Sequence, residues 1–151
     1  MFTKNLAFFI ECIGKGDVLS SMSVTFSSKL ETSFKYCSSQ LERQVKLWLE
    51  AYFNQTPIHL EIPCELQGTP FQKKVWDVLK KIPFGTTKSY AEVAKDVGIP
   101  KGSRAVGNAC GKNQFFLLIP CHRVRRSDQT IGGFAVDLEI KRRLLTLEGI
   151  Y

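Results

Sequence analysis

Two helix signatures flank Gly98-Ile99-Pro100-Lys101-Gly102, and that arrangement limits the fold more than any other stretch. Ahead of it, Ser89-Tyr90-Ala91-Glu92 has the form of a capping box, in which serine and a glutamate three residues on satisfy each other's free amides. It starts a helix over about 90–97. Beyond the turn, Ser103 is a good N-cap for a helix over 104–111. A glycine-proline-glycine connection is too tight for anything but a helix-turn-helix. The second helix, Arg104-Ala105-Val106-Gly107-Asn108-Ala109-Cys110, is small-sided with one arginine at its head. A major-groove reader carries several side chains able to reach base edges. This helix can approach a duplex closely without reading its sequence.

Around that pair the chain divides in two. In the second half, Thr69 caps a helix over 70–82 with Pro70 at its first position and Phe71, Val75, Val78, Leu79 and Ile82 along one face. The apolar run 115–119 reads as a buried strand, 127–129 as a turn and Ile131-Gly132-Gly133-Phe134 as a glycine-rich loop. Asp137 caps a last helix over 138–147, with Ile140, Leu144, Leu145 and Leu147 inward and Gly149 at its exit. In the first half, 6–13 and 22–26 read as strands, and Leu41, Val45, Trp48, Leu49 and Tyr52 mark a helix over 38–53. Residues 57–62 alternate weakly, as a returning strand or an extended connection. Pro63 to Gly68 reads as a linker between an N-terminal α/β domain, 1–62, and a C-terminal domain, 69–151. The fold class is α/β in the broad, α+β sense.

Charge follows the same division. Residues 69–151 carry 15 Lys and Arg against 7 Asp and Glu, whereas residues 1–68 carry 6 against 7. A concentrated positive field draws polyanions by counterion release, so nucleic acid is the leading partner and a merely solvated surface the alternative. With 151 residues, 44% of them hydrophobic, the chain can build a core. No apolar run reaches the roughly 18 residues of a membrane span, and no signal peptide opens the chain. An intracellular, cytoplasmic protein without membrane attachment is expected. Five cysteines, an odd number without C-x-x-C spacing, and only two histidines argue against a disulfide framework and a zinc site. No metal or cofactor is expected, and His59 reads as a structural or surface residue.

Ile119-Pro120-Cys121-His122-Arg123-Val124 places a thiol, an imidazole and a guanidinium together behind the run 115–119. Neighbouring cations and imidazoles turn cysteine into a nucleophile. Composition alone leaves both an activated thiol and an inert buried one open.

Ser89-Tyr90, Arg104-Ala105-Val106-Gly107, Asn113, Pro120-Cys121-His122-Arg123-Val124, Gly132-Gly133 and Glu148-Gly149, taken in this order, closely resemble the O6-alkylguanine-DNA alkyltransferases. The resemblance covers about 70–149; the first half agrees only in length and element order. It implies a ribonuclease-H-like N-terminal domain, a winged helix-turn-helix C-terminal domain, and irreversible alkyl transfer from O6 of guanine, with O4 of thymine as a second target, to Cys121. The partner implied is double-stranded DNA, bound through the minor groove with little sequence preference by a monomer.

The resemblance also assigns roles. His122 takes the thiol proton through a water while Glu148 orients the imidazole, as in a triad; adjacent side chains on a strand point apart, which makes direct transfer awkward. Tyr90 donates to the flipped base and crowds the target phosphate, and Arg104 fills the vacated stack. Ser89, Ala105 and Gly107 lie against the DNA. Asn113 pins the turn before Cys121 and helps lower its pKa, and Arg123 makes a structural salt bridge, either within the domain or to the N-terminal half. Lys88, Lys101, Lys112, Arg125 and Arg126 contact phosphates. Val124, Gly132, Phe134 and Ala135 line the base pocket, with the carbonyls of Cys121 and Val124 accepting from the guanine amine.

The chain departs from the family after Gly132-Gly133, where Phe134-Ala135 replaces the usual tyrosine and serine, so a hydroxyl for guanine O6 is missing. An alternative function is a lesion-binding sensor of the alkyltransferase-like type, but those proteins lack the cysteine. A winged-helix transcription factor would need base readers, and a cysteine protease a peptide groove.

Overall fold

The computed structural model describes residues 7–132 and 138–150. Gly133, Phe134, Ala135 and Asp137, expected in the pocket loop and as a helix cap, lie outside the described residues. The fold is mixed α/β, and the chain separates into two compact units, Met1–Leu66 and Gln67–Tyr151. Among the described residues no helix is long and apolar enough to cross a membrane.

The first unit is a three-stranded sheet with a helix. Strands β1 (Phe8–Gly16) and β2 (Val18–Phe26) form an antiparallel hairpin that pairs Phe8 with Phe26 and Cys12 with Met22. Gly16, with φ +62°, makes the turn at a backbone angle that costs glycine nothing. Phe8, Ile10 and Cys12 alternate inward, as one buried face requires. Strand β3 (Glu31–Cys37) runs parallel to β1 at the edge, giving the order β2-β1-β3. Strand β3 is not expected from the sequence. None of its side chains is fully buried, so it carries no apolar alternation to read.

Helix α1 (Ser39–Phe53) starts at Ser38, whose hydroxyl accepts from the Leu41 amide, and buries Leu41, Val45, Leu49, Tyr52 and Phe53. A Cβ at Gly14 would lie 2.8 Å from Cys37 Sγ and 3.1 Å from Leu41 Cδ2, so only glycine lets strand and helix approach here. Residues 57–62 form no strand. They lead to Pro63 and Glu65, which bond the backbone of Leu19, so this part of the expected linker runs alongside β2.

In the second unit, α2 (Pro70–Lys80) opens on a complete Thr69–Gln72 capping box and ends two residues before the expected limit. Strand β4 (Lys88–Ser89) pairs in parallel with β5 (Val124–Arg125). The Ser89–Glu92 capping box starts α3 (Tyr90–Asp96). Helix α4 (Ser103–Gly111) begins one residue earlier than expected: Gly102 is the cap, without a side-chain bond, and Ser103 is already helical. The cause is the tight turn, in which the Gly102 amide bonds Ile99 O at 2.8 Å. The buried indole of Trp76 donates to Ala109 O at 2.9 Å and fastens α4 to α2.

The apolar run 115–119 is not a continuous strand. Phe116 and Ile119 share one isolated bridge, and Leu117 turns the chain at φ +80°. A continuous apolar run signals burial without fixing conformation, and Phe115, Leu117 and Ile119 are indeed buried. A left-handed leucine costs about 1–3 kcal/mol, which the packing around it must offset. Helix α5 (Leu138–Leu147) closes the unit.

Candidate active site

The turn at Leu117 delivers Pro120 into a short 3-10 turn, Cys121–Arg123, so Cys121 and His122 are not on a strand as expected. With about three residues per turn, consecutive side chains radiate in different directions. The Cys121 thiol is 1% exposed. Burial lifts it to about 11, against which an Asn113 hydrogen bond and the Lys141 charge pull downward. At neutral pH the resting group is a thiol, so it needs a base. Asn113 sits where α4 ends, donating to Ile119 O at 2.8 Å and accepting from the Phe115 amide at 2.9 Å, which fixes the approach to Cys121.

His122 is fully buried, with Nε2 2.5 Å from Glu148 Oε2. The other carboxylate oxygen accepts from Arg123 Nε at 2.7 Å and from the Gly85 amide at 3.0 Å. Burial alone would raise Glu148, but His122 and Arg123 outweigh it and hold the carboxyl at about 2. Burial lowers His122, and Glu148 only partly offsets this. The pair is therefore a carboxylate and a neutral imidazole. A carboxylate only accepts, so Nε2 carries the hydrogen and Nδ1 keeps the lone pair. Nδ1 is buried and meets no hydrogen-bond partner among the described residues. Arg123 also donates to Ile82 O at 2.8 Å, so its salt bridge lies within the second unit.

Tyr90 opens α3 with its hydroxyl buried. A Cβ at Gly132, which has φ +72°, would stand 3.2 Å from Tyr90 Cε2 and 3.3 Å from its hydroxyl, so the tyrosine packs directly on the glycine backbone. Arg104 and Ala105 are exposed in the first turn of α4, with Gly107 half-buried one turn on. Lys101 and Lys112 are exposed and Arg125 is half-buried. Lys88 is ion-paired to Asp96, and the Ser89 hydroxyl caps α3. Val124 is buried; its carbonyl accepts from Lys141 at 2.6 Å, and the Cys121 carbonyl accepts from the Val124 amide. Each keeps a second lone pair.

Lys141 is the polar residue that the sequence reading missed. It is 2% exposed, and its ammonium donates to Val124 O and Ile131 O and stands 5.9 Å from the Tyr90 ring centre. Burial brings it down to about 8. Its signal was positional: it lies three and four residues before Leu144 and Leu145, on the inward face of α5. Among the described residues, no three His, Cys, Asp or Glu side chains gather as a metal-binding group.

The family model described as the 6-O-methylguanine DNA methyltransferase DNA-binding domain matches residues 70–150, which span every group in this site. The chain belongs to that family. Methylated-DNA--protein-cysteine methyltransferase of Methanosarcina acetivorans is 45% identical over 107 residues, covering 71% of this chain and 69% of the relative. The Haemophilus influenzae protein of the same name is 42% identical over 109 residues, covering 72% of this chain and 61% of the relative. Among solved methyltransferase structures, Mycobacterium tuberculosis OGT in complex with DNA aligns with a TM-score of 0.74 at 32% identity, covering 93% of this chain and 92% of that one. That similarity extends over both units.

Proposed function

We propose that the protein repairs double-stranded DNA by moving an alkyl group from O6 of guanine, or O4 of thymine, onto Cys121 Sγ, once per molecule. The observation that carries this reading is His122 Nε2 standing 2.5 Å from Glu148 Oε2 while Nδ1, buried, meets no hydrogen-bond partner among the described residues. His122 accepts the thiol proton at Nδ1 through a water. The sulfur then attacks the alkyl carbon, and the carbon–oxygen bond breaks with its electron pair on the base. Tyr90 donates a proton to the departing base, and the proton held on His122 returns to the phenol through solvent. Removing the alkyl group again would need a second nucleophile at its carbon, with the thiolate, a poor leaving group, departing, and the proposed site uses none, so the product is final.

Base access requires flipping, at a cost of a few kcal/mol. Arg104, exposed at the head of small-sided α4, fills the vacated stack from the minor groove. The second unit is read as a winged helix-turn-helix, the first as a ribonuclease-H-like domain, and the acting species as a monomer. A lesion sensor has no use for a nucleophile with its own oriented base, so the Cys121–His122–Glu148 set favours transfer. Nucleoside analysis of duplex DNA containing O6-methylguanine tests the reading. It expects unmodified guanine to appear in an amount equal to the protein added; no guanine, or many turnovers per protein, contradicts it.

A further inference from the structure

The hydroxyl of Tyr90 and the stem of Arg126 meet at Gly132. A Cβ at Gly132 would lie 3.3 Å from Tyr90 Oη and 3.4 Å from Arg126 Cγ, so both crowd the same point on the glycine backbone. The Arg126 amide bonds Thr130 O and its carbonyl receives the Gln129 amide, both at 3.0 Å, closing a tight turn that fixes where the arginine stem leaves the chain. Arg126 is itself an exposed residue.

Resting on the proposed alkyl transfer, the geometry points to Arg126 as a positioning residue for proton donation by Tyr90, rather than only another phosphate contact. As the alkyl–oxygen bond breaks, electrons flow into the guanine ring, a ring nitrogen takes the Tyr90 proton, and the phenol oxygen becomes anionic. A cation whose stem packs at the same glycine as that oxygen stabilises the charge where it forms.

The charges around Tyr90 fit this division of labour. Burial first, then the negative charge of Cys110 and Cys121 where they ionise, make the phenol a weaker acid, while the charge of Arg126 opposes them. Lys141 approaches the ring face and bonds two backbone carbonyls. Asp128, in the same turn, is bound to Thr130 through both its amide and its hydroxyl.

Arg126→Met keeps the aliphatic stem against Gly132 and removes the charge. Single-turnover transfer is followed by intact mass, with O6-methylguanine supplied in duplex DNA and as the free base, which has no phosphate. The expected result is a roughly tenfold fall on both substrates, recovery with Arg126→Lys, and no further loss when Arg126→Met is added to Tyr90→Phe. A free-base rate unchanged by Arg126→Met, with slowing on the duplex alone, overturns this role and leaves a phosphate contact. If the wild type transfers nothing from the duplex, the underlying reading fails and this role with it.

Discussion

At the scale of single residues the site depends on one carboxylate with three donors. Glu148→Gln removes the charge that fixes the His122 tautomer, and transfer is expected to fall by about two to four orders of magnitude in stopped single-turnover assays. The same change has a signature in acid. The folded carboxyl titrates near 2 and an unperturbed one near 4.5, so its stabilisation is complete above 4.5 and is lost as pH falls toward 2. The loss amounts to something on the order of 3 kcal/mol. Melting temperatures measured across that window should drop steeply in the wild type and less in Glu148→Gln, which starts lower because Arg123 is left buried beside a neutral amide. Parallel curves would contradict this assignment. That Cys121, His122, Glu148 and Asn113 belong together was expected in sequence from the resemblance to the family. Lys141 was not, since a lysine between inward-facing residues of an amphipathic helix is by default solvated, and only the fold shows Val124 O and Ile131 O waiting for it.

Elements were legible where local chemistry decides them. Capping boxes at Thr69 and Ser89 marked the starts of α2 and α3 because those bonds form within four residues. The cap of α4 was displaced because the tight turn bonds Gly102 to Ile99 O, and that turn is close-packed: a Cβ at Gly102 would lie 2.9 Å from Ile99 Cγ2 and 3.0 Å from Ile99 O. Gly102→Ala is therefore expected to cost about 1–3 kcal/mol in denaturant titrations and to loosen α4 on DNA; unaltered stability would show that the turn relaxes freely. Strand β3 and the turn at Leu117 stayed hidden because edge exposure and complete burial each erase the period of two. Arg104→Ala tests what α4 does. Transfer from duplex DNA should slow while transfer from the free base stays constant, the opposite pattern to Arg126→Met, and equal slowing on both substrates would place Arg104 in the chemistry instead.

On the scale of the molecule, the excess of 15 basic over 7 acidic residues from position 69 onward belongs to the unit holding the thiol. Binding to undamaged duplex should weaken linearly in log salt, and removing exposed Lys101 should reduce that slope by about one. Lys88, already paired with Asp96, should change it less. Because Cys121 is 1% exposed within a packed unit, an added methyl has little room, and the alkylated protein should melt lower by an overpacking cost of about 1–3 kcal/mol. The most direct measurement is intact mass and peptide mapping after incubation with an excess of duplex containing O6-methylguanine. One methyl group per chain, located on Cys121 and absent from Cys121→Ala, is the predicted result. An unmodified chain, or a methyl carried on another residue, would contradict the account.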